Sequence, residues 1–200
     1  MSDYPINESR FRSKPDCIKK WFAENAVYDH PDLISIPLGL ENHTGKSKGI
    51  FTDHEWFEDN VEKLKEIPKN IILYCNWNNN TNKERSLIIN QLRKTNVDFY
   101  IENRLTFKEY CNQMTRYKFV VCPPGNGIDT HRIWEALYLG CYPIVIKNRI
   151  YRDYDLPIIQ IDNYSEITLE LLGKFIKKHN FKMIYMSFWR NKIIKEFKEL

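Results

Sequence analysis

Residues 130–135 combine side chains whose types and spacing suit the recognition of an anion. On a helix, residues three or four positions apart share one face, so His131, Arg132 and Glu135 project together from the first turns. An arginine can bind a phosphate with parallel hydrogen bonds, and a carboxylate one turn further can accept from two sugar hydroxyls. Phosphate and ribose together indicate a nucleotide. As an exposed helix pair, Arg132 and Glu135 would instead contribute only slight stability.

Two glycines precede this segment. Gly125 and Gly127 free the backbone to adopt positive φ and let a ligand approach without meeting a Cβ atom, and Asn126 lies between them. Taken alone, a Gly-x-Gly sequence is often only a turn, and His131 is a type of residue that more often makes a structural hydrogen bond. The prediction of a site therefore depends on several such features meeting in one place.

The surrounding elements bring these residues to one edge of a sheet. We predict a strand at residues 119–122, a helix at residues 130–139 capped by Asp129 or Thr130, and a second strand at residues 142–146. In a strand–loop–helix unit, the loop and the helix N-terminus meet at the carboxyl edge of a parallel sheet. Free N–H groups and the helix dipole favour an anion there.

An earlier strand–loop–helix unit places a second arginine at the same edge. Residues 71–75 form the predicted strand and residues 83–94 the helix, which begins close to Arg85. Asn76 and Thr81 in the connecting loop could add neutral hydrogen bonds to a bound phosphate. The alternative interpretation is that Arg85 is only a solvated helix residue and binds no phosphate.

The rest of the chain continues this alternation. Further strands are predicted at residues 33–39, 97–101 and 156–161, and further helices at residues 53–66, 106–117, 165–178 and 181–197. Capping boxes begin two of these helices, at Thr52 with Glu55 and at Thr106 with Glu109. The pattern predicts an α/β fold with a Rossmann-like, doubly wound parallel sheet and C-terminal helices. We interpret residues 1–30 as a lead-in segment to one domain of residues 31–200.

Composition limits the classes of function. The chain of 200 residues is 42% hydrophobic and has a net charge of +4, which suits one core and an anionic ligand but predicts no specific nucleic-acid partner. Five cysteines without CxxC spacing are typical of buried thiols in a reducing compartment. No stretch reaches the ~18 apolar residues of a membrane span, and the N-terminus has no apolar leader. We therefore expect a cytoplasmic protein without a membrane span.

The central block also carries a family resemblance. The block contains Cys122-Pro123, Gly125, Gly127, Arg132, Glu135, Gly140-Cys141 and Pro143. This pattern resembles the donor-binding signature of exostosin-like glycosyltransferases with the GT-B fold. The loop NWNNNTNKERS of residues 76–86 is similar to the first donor-domain loop of that family, and residues 21–42 are similar to the connector leading into it.

The resemblance implies a nucleoside-diphosphate sugar, a UDP- or GDP-sugar, as donor substrate and no required cofactor or metal. The acceptor would be a glycan or another hydroxyl compound, and transfer would invert the anomeric centre. Glu135 would bind the ribose, Arg85 and Arg132 the diphosphate, and the loop at residues 100–104 the base. The predicted donor-binding residues are Asn76, Thr81, Arg85, Asn103, Arg104, Gly125, Asn126, Gly127, Asp129, Thr130, His131, Arg132 and Glu135.

The chain departs from the family pattern at two residues and in length. Many relatives have an acidic residue where Asn126 stands and a serine where His131 stands. The amino-terminal half that receives the acceptor is nearly absent, and residues 1–30 are interpreted as its remnant. Because that half usually supplies the catalytic base, the base is unassigned, with Asp3 and His131 as candidates. Three interpretations then stay open: a truncated gene product, a fragment, or a donor domain that works with another chain supplying the acceptor half.

Three other classes fit less of the sequence. A dinucleotide-dependent dehydrogenase requires a third glycine where this chain has Thr130, and an acid where it has Lys147. A metal-dependent transferase of the other major glycosyltransferase fold would use Asp153 and Asp155 to hold a divalent cation, although the same pair could form a solvated turn. The non-enzymatic alternative is a nucleotide-sugar-binding domain without turnover.

Overall fold

The computed structural model describes residues 3–40, 51–101, 105–175 and 181–199. Strands and helices alternate from residue 33 to residue 146. The strands are β1 (Trp21–Ala23), β2 (Leu33–Ser35), β3 (Ile71–Cys75), β4 (Phe99–Ile101), β5 (Tyr117–Val121), β6 (Tyr142–Ile146) and β7 (Ile159–Ile161). The helices are α1 (Glu8–Arg12), α2 (Phe51–Lys65), α3 (Arg85–Leu92), α4 (Phe107–Met114), α5 (His131–Tyr138), α6 (Leu169–Lys174) and α7 (Met186–Lys198).

The main sheet is parallel and has its strands in the order β4-β3-β5-β6-β7 within the described residues. The first of these strands in the chain, β3, thus has β4 on one side and β5 on the other. Strand order reverses between β3 and β5, and the carboxyl ends of the strands flanking such a switch point are where open α/β sheets bind ligands. The predicted α/β fold with a Rossmann-like, doubly wound parallel sheet is confirmed.

Helices cover both faces of this sheet, which explains why its strands are apolar almost throughout. On one face, Tyr74 and Val120 pack in a cluster with residues of α2, α4, α5 and α7. On the other face, Leu73 and Phe119 pack in a cluster with residues of α3 and α6. Burial of each large apolar side chain contributes roughly 1.5–3 kcal/mol, so the sheet is a rigid base for the loops at its edge.

The helices near the carboxyl edge begin largely as predicted. Thr106 accepts from the backbone N–H of Glu109, and the Glu109 side chain accepts from Thr106 in return, so the predicted capping box of α4 is confirmed. Thr130 is the N-cap of α5 in extended geometry, but its side chain makes no capping bond. Gly140, just past the end of α5, has a positive φ of 70°, which suits a glycine stop.

The prediction for the first forty residues was incomplete. β2 pairs in parallel with β1 in a separate two-stranded sheet, not in the main sheet. An isolated bridge between Ile6 and Ala26 and the small core around Phe11 complete this part. Each strand has only three residues, which is too short to produce a recognisable alternation. β1 and β2 lie on either side of residue 30, the predicted domain boundary, and pair with each other. The interpretation of residues 1–30 as a remnant of an acceptor half stays a prediction.

Three predicted helices have different limits. α2 already includes Phe51 and Thr52, so the predicted start at residue 53 was wrong. The predicted helix at residues 165–178 is split, because Asn163 caps a short 3-10 turn and Thr168 separately caps α6. The last predicted helix begins instead with a 3-10 turn before α7.

No helix within the described residues combines the length and apolar character that crossing a membrane requires.

Candidate functional site

A cleft of about 850 Å³ opens at the carboxyl ends of β3 and β5, at the switch point of the main sheet. Ligand pockets typically measure roughly 300–1,000 Å³, so its size suits a small molecule. The structure brings together here a large part of the predicted donor-binding set. The predicted residues that line the cleft are Asn76, Thr81, Arg85, Thr130, His131, Arg132 and Glu135.

Two of these residues present buried polar atoms without partners. Within the described residues, no group forms a hydrogen bond with Nε of Arg132 or with Oγ1 of Thr130. The guanidinium carbon of Arg132 lies 5.9 Å from the centre of the Tyr110 ring, which holds it at the start of α5. A buried polar group without a hydrogen bond costs ~1–3 kcal/mol, and an anion at this helix N-terminus would supply acceptors.

Glu135 presents a carboxylate of fixed orientation one turn further along α5. The residue is only 8% exposed, and the hydroxyl of Tyr110 on α4 donates to its Oε2 over 2.9 Å. Burial and the negative charge of Glu135 raise the pKa of Tyr110 well above its usual range, so this hydroxyl remains a donor. A carboxylate held in this way can accept from the hydroxyls of a ligand whose anionic group is bound by Arg132.

Arg85 is buried and joins the two loops of the cleft. Its Nε donates to the carbonyl of Pro124 over 2.8 Å, its Nη1 to that of Asn78 over 3.0 Å, and its Nη2 to that of Pro123 over 3.2 Å. Burial, together with the charge of Arg132, lowers the pKa of Arg85 to about 10. Arg85 is therefore not a solvated helix residue. Its predicted contact with a diphosphate stays a prediction.

The glycines of the loop are explained by close packing and not by positive φ. Among the described residues, only Gly39 and Gly140 are glycines with positive φ, so that part of the reasoning about Gly125 and Gly127 was wrong. A Cβ atom at Gly125 would lie 3.3 Å from Nη2 of Arg85, and one at Gly127 would lie 3.0 Å from Nδ2 of Asn25. Each glycine thus makes room for a polar side chain that holds the loop.

Asp129 is buried behind the cleft and does not line it. Its Oδ2 accepts from the backbone N–H of Leu38 over 2.8 Å, and its Oδ1 accepts from Nε1 of Trp134 over 2.9 Å. Burial raises the pKa of Asp129 to about 6. In this arrangement the carboxylate ties the segment after β2 to the start of α5.

His131 links the same segment to the cleft itself. Its Nδ1 lies 2.8 Å from the carbonyl oxygen of Gly39, and the residue lines the cleft beside Arg132. As the Nδ1–H tautomer, the ring donates to Gly39, which leaves Nε2 as an acceptor. A role of His131 as a base stays a prediction.

The remaining predicted residues lie apart from this cleft or outside the described residues. Asn126 and Asp3 line a neighbouring cleft of about 830 Å³, which shares Thr81 with the first. Asn103 and Arg104 lie outside the described residues, so the structure says nothing about their predicted contact with the base.

The Asp-x-Asp sequence lies among arginines. Asp153 Oδ1 is 3.3 Å from Nε of Arg152, and Asp153 Oδ2 is 3.7 Å from Nη1 of Arg149. Neither Asp153 nor Asp155 lines the switch-point cleft. Across residues 3–40, 51–101, 105–175 and 181–199, no group of three or more His, Cys, Asp or Glu side chains is placed to hold a metal ion. Two adjacent guanidinium groups also oppose the binding of a cation at Asp153.

Comparison with known proteins finds partial matches to plant proteins that are named as sugar transferases. The chain is 27% identical over 95 residues to a probable glycosyltransferase of Arabidopsis thaliana, and 33% identical over 79 residues to a probable glucuronoxylan glucuronosyltransferase of the same plant. It is 30% identical over 79 residues to a probable glucuronosyltransferase of Oryza sativa subsp. japonica. The chain is similar to plant glycosyltransferases. No protein-family model matches it.

The similarity to these glycosyltransferases is partial on both sides. The matched segments make up 47%, 40% and 40% of this chain, but only 19%, 16% and 17% of the three relatives. The matched part thus spans less than a fifth of the length of each curated glycosyltransferase.

Sequence reasoning missed two residues that shape the site. Asn25 has a positive φ of 52° and is buried, and its Oδ1 accepts from the backbone N–H groups of Ile128 and Asp129, each over 2.9 Å. Asparagine tolerates the left-handed region better than most residues, but no local motif marks Asn25 in the sequence. Tyr110 was not among the predicted site residues, whereas its hydroxyl donates to Glu135.

Proposed function

We propose that the switch-point cleft binds the nucleoside diphosphate of a sugar donor and that the chain is the donor-binding part of a glycosyltransferase. The observation that supports this most directly is the pairing on α5 of Arg132, whose buried Nε has no partner among the described residues, with the buried carboxylate of Glu135. A nucleotide requires a cation for its phosphates and an acceptor for its ribose hydroxyls, one helical turn apart.

In this proposal, the diphosphate lies at the N-terminus of α5 against Arg132 and Thr130. Free backbone N–H groups and the helix dipole add to the attraction there. Arg85 holds the loop that ends in Pro124 and adds positive charge from behind. The ribose lies toward Glu135, whose orientation is set by Tyr110.

The finer parts of the proposal rest on the resemblance of residues 122–143 to exostosin-like transferases of the GT-B fold. Transfer to a glycan or another hydroxyl acceptor would invert the anomeric centre without a metal ion. The positive charge that a metal supplies in other transferases would come from Arg132 and Arg85. We also propose a cytoplasmic location, which suits the free thiols of Cys75, Cys111, Cys122 and Cys141, all buried.

A second candidate function is nucleotide-sugar binding without turnover. It is favoured by the lining of the switch-point cleft, where the described residues include one carboxylate, Glu135, which already accepts from the Tyr110 hydroxyl. Turnover would require a catalytic base, which is unassigned in this chain.

Two measurements separate these functions. Calorimetric titration with UDP, GDP and their sugars tests the donor site, and we expect saturable binding of at least one of them without added metal. Liquid chromatography of released nucleoside diphosphate, with and without hydroxyl acceptors, then tests turnover. Binding with release identifies a transferase, and binding without release identifies a binding domain. No binding of any nucleotide would contradict both.

A further inference from the structure

A second cleft lies on the other side of Arg85, at the carboxyl ends of β5, β6 and β7. Its volume is about 360 Å³, and it separates the exposed side of α3 from the short 3-10 turn Tyr164–Glu166. The switch-point cleft is bordered by α4 and α5, whereas the second cleft is bordered by α3 and the 3-10 turn. Among the described residues, Arg85 is the one residue that lines both clefts. The nucleotide proposal leaves this second cleft unused.

The second cleft has a buried polar group that nothing in the described structure explains. Tyr164 lines it and is only 4% exposed, yet its hydroxyl has no hydrogen-bond partner among the described residues. Burial raises the pKa of Tyr164, so the hydroxyl stays protonated and can both donate and accept. An unpaired buried hydroxyl is unfavourable, and a ligand group entering from the cleft would remove that cost.

The walls define the chemistry of the ligand. Leu87, Ile88, Pro123, Pro124 and Ile146 provide an apolar surface on which the C–H face of a ring can pack. The polar lining consists of the carboxylates of Glu84 and Asp162 and of neutral amides from Asn82, Gln91 and Asn163. The amide oxygens of Asn82 and Asn163 already accept from backbone N–H groups of Glu84 and Ser165. Carboxylates and amides accept from hydroxyls, whereas the carboxylates repel an anion.

The one cation of this cleft is already engaged, within the part of the chain that the structure describes. Arg85 directs Nε, Nη1 and Nη2 at the carbonyls of the two neighbouring loops. The cleft therefore favours a neutral ligand with an apolar face and several hydroxyls. A volume of about 360 Å³ is near the lower end of the roughly 300–1,000 Å³ of known ligand pockets, which suits one ring.

We propose that this second cleft is a binding site for one neutral sugar ring. The ring packs on Leu87 and the prolines, and one of its hydroxyls reaches Tyr164. This site is separate from the nucleotide site, so each can be present without the other.

The test is nuclear magnetic resonance of the full chain titrated with methyl glycosides of glucose, galactose, mannose and xylose, up to tens of millimolar. At least one of them should shift the backbone amide signals of residues 82–91 and 162–164, with or without saturating UDP or GDP. Methyl glucuronide, which carries a carboxylate, should shift them less. Absence of any shift, or shifts confined to residues 130–135, would overturn the proposal.

Two variants separate a binding role of Tyr164 from a structural one. Tyr164→Phe should weaken glycoside binding about tenfold, the usual effect of one hydrogen bond, and leave the thermal midpoint unchanged or higher. In the matched control Tyr151→Phe, the hydroxyl that donates to the Ile128 carbonyl over 3.0 Å is lost, so the midpoint should fall while glycoside binding persists. If Tyr164→Phe lowers the midpoint as Tyr151→Phe does, or binds glycosides normally, the Tyr164 hydroxyl is no part of a sugar site.

Discussion

At the scale of single residues, the two arginines of the switch-point cleft differ in which of their N–H groups are already used. Arg85 donates from three nitrogens to carbonyls of Pro123, Pro124 and Asn78, so it holds loops together. Nε of Arg132 is buried and has no partner among the described residues. Both arginines lie at the start of a helix that follows a strand, so the sequence alone suggests the same role for both. Only the hydrogen bonds in the structure distinguish the loop-holding Arg85 from Arg132, which has an unused buried N–H group.

Removal of the Tyr110 hydroxyl should weaken nucleotide binding only while Glu135 is present. In Tyr110→Phe, Oε2 of Glu135 loses the hydroxyl that donates to it over 2.9 Å. A hydrogen bond to a charged group contributes about 1.5–3 kcal/mol to stability. We expect a several-fold weaker affinity for the nucleoside diphosphate, and no further effect of Tyr110→Phe in a Glu135→Ala background. Calorimetry of the four proteins measures this coupling. Equal effects in both backgrounds would show that Tyr110 does not act through Glu135.

The buried carboxyl group of Asp129 should make the stability of the protein depend on pH. Burial raises its pKa from 3.8 to about 6 in the folded protein. Between these values the folded state binds the proton more tightly than the unfolded state does. The free energy of unfolding therefore decreases as the pH rises through this range, by an amount on the order of 3 kcal/mol.

Urea unfolding between about pH 4 and about pH 7 tests this effect by comparing the natural chain with Asp129→Asn. Asparagine does not ionise, so the variant should lack this decrease, and the difference between the two proteins should shrink or reverse as the pH rises. Parallel pH profiles would contradict the role given to Asp129. Other carboxylates, such as Asp29, whose pKa the Arg152 side chain lowers to about 2, titrate equally in both proteins.

At the scale of elements, the loop between β5 and α5 has its shape because other segments pack into it. Asn25 accepts from two backbone N–H groups of this loop and occupies the space beside Gly127. Arg85 occupies the space beside Gly125. The glycines of this loop therefore serve the protein's own packing.

A methyl group at Gly127 should destabilise the protein. A Cβ atom there would lie 3.0 Å from Nδ2 of Asn25, which cannot move without losing its bonds to the loop. We expect Gly127→Ala to lower the free energy of unfolding by ~1–3 kcal/mol. The matched control is Gly173→Ala in α6, where nothing lies within 4 Å and alanine should stabilise the helix by up to about 1 kcal/mol. Chemical denaturation of both variants measures the free energy of unfolding. A Gly127→Ala variant as stable as the Gly173→Ala control would contradict the packing role of Gly127.

The sequence predicted the elements that build the main sheet but not the contacts that complete the site. Apolar runs and capping residues are local signals, so β3, β5, β6 and the start of α4 were predicted close to their observed limits. The small sheet of β1 and β2 and the left-handed Asn25 depend on contacts between distant segments. No local pattern predicts such contacts. The same holds for Asp129, which looked like a ligand or a cap and instead bonds to Leu38.

At the scale of the whole molecule, side-chain hydrogen bonds hold the first forty residues to the part of the chain that forms the main sheet. Arg152 forms a bidentate pair with Asp29 over 2.7 and 2.8 Å, and Asp129 and His131 bond to Leu38 and Gly39. Binding at the start of α5 should therefore stabilise the fold as one unit.

A nucleoside diphosphate should raise the thermal midpoint of the whole chain. A ligand present at one hundred times its dissociation constant stabilises the folded state by about 2.7 kcal/mol, which corresponds to a few degrees for a chain of this size. Differential scanning fluorimetry with UDP and GDP measures the shift, and inorganic phosphate at equal concentration is the control for a general anion effect. Equal shifts with phosphate would show an anion site without nucleotide recognition.

The most direct test of the central claim is the affinity of the switch-point cleft for UDP and GDP in the natural chain and in Arg132→Ala, Glu135→Ala and Arg93→Ala. Calorimetry measures the affinities, and circular dichroism verifies that each variant is folded. We predict that Arg132→Ala and Glu135→Ala each weaken binding about tenfold or more, as expected for loss of a charged hydrogen bond, whereas Arg93→Ala at the end of α3 leaves it unchanged. Unchanged affinity in both Arg132→Ala and Glu135→Ala would contradict a nucleotide site at the start of α5.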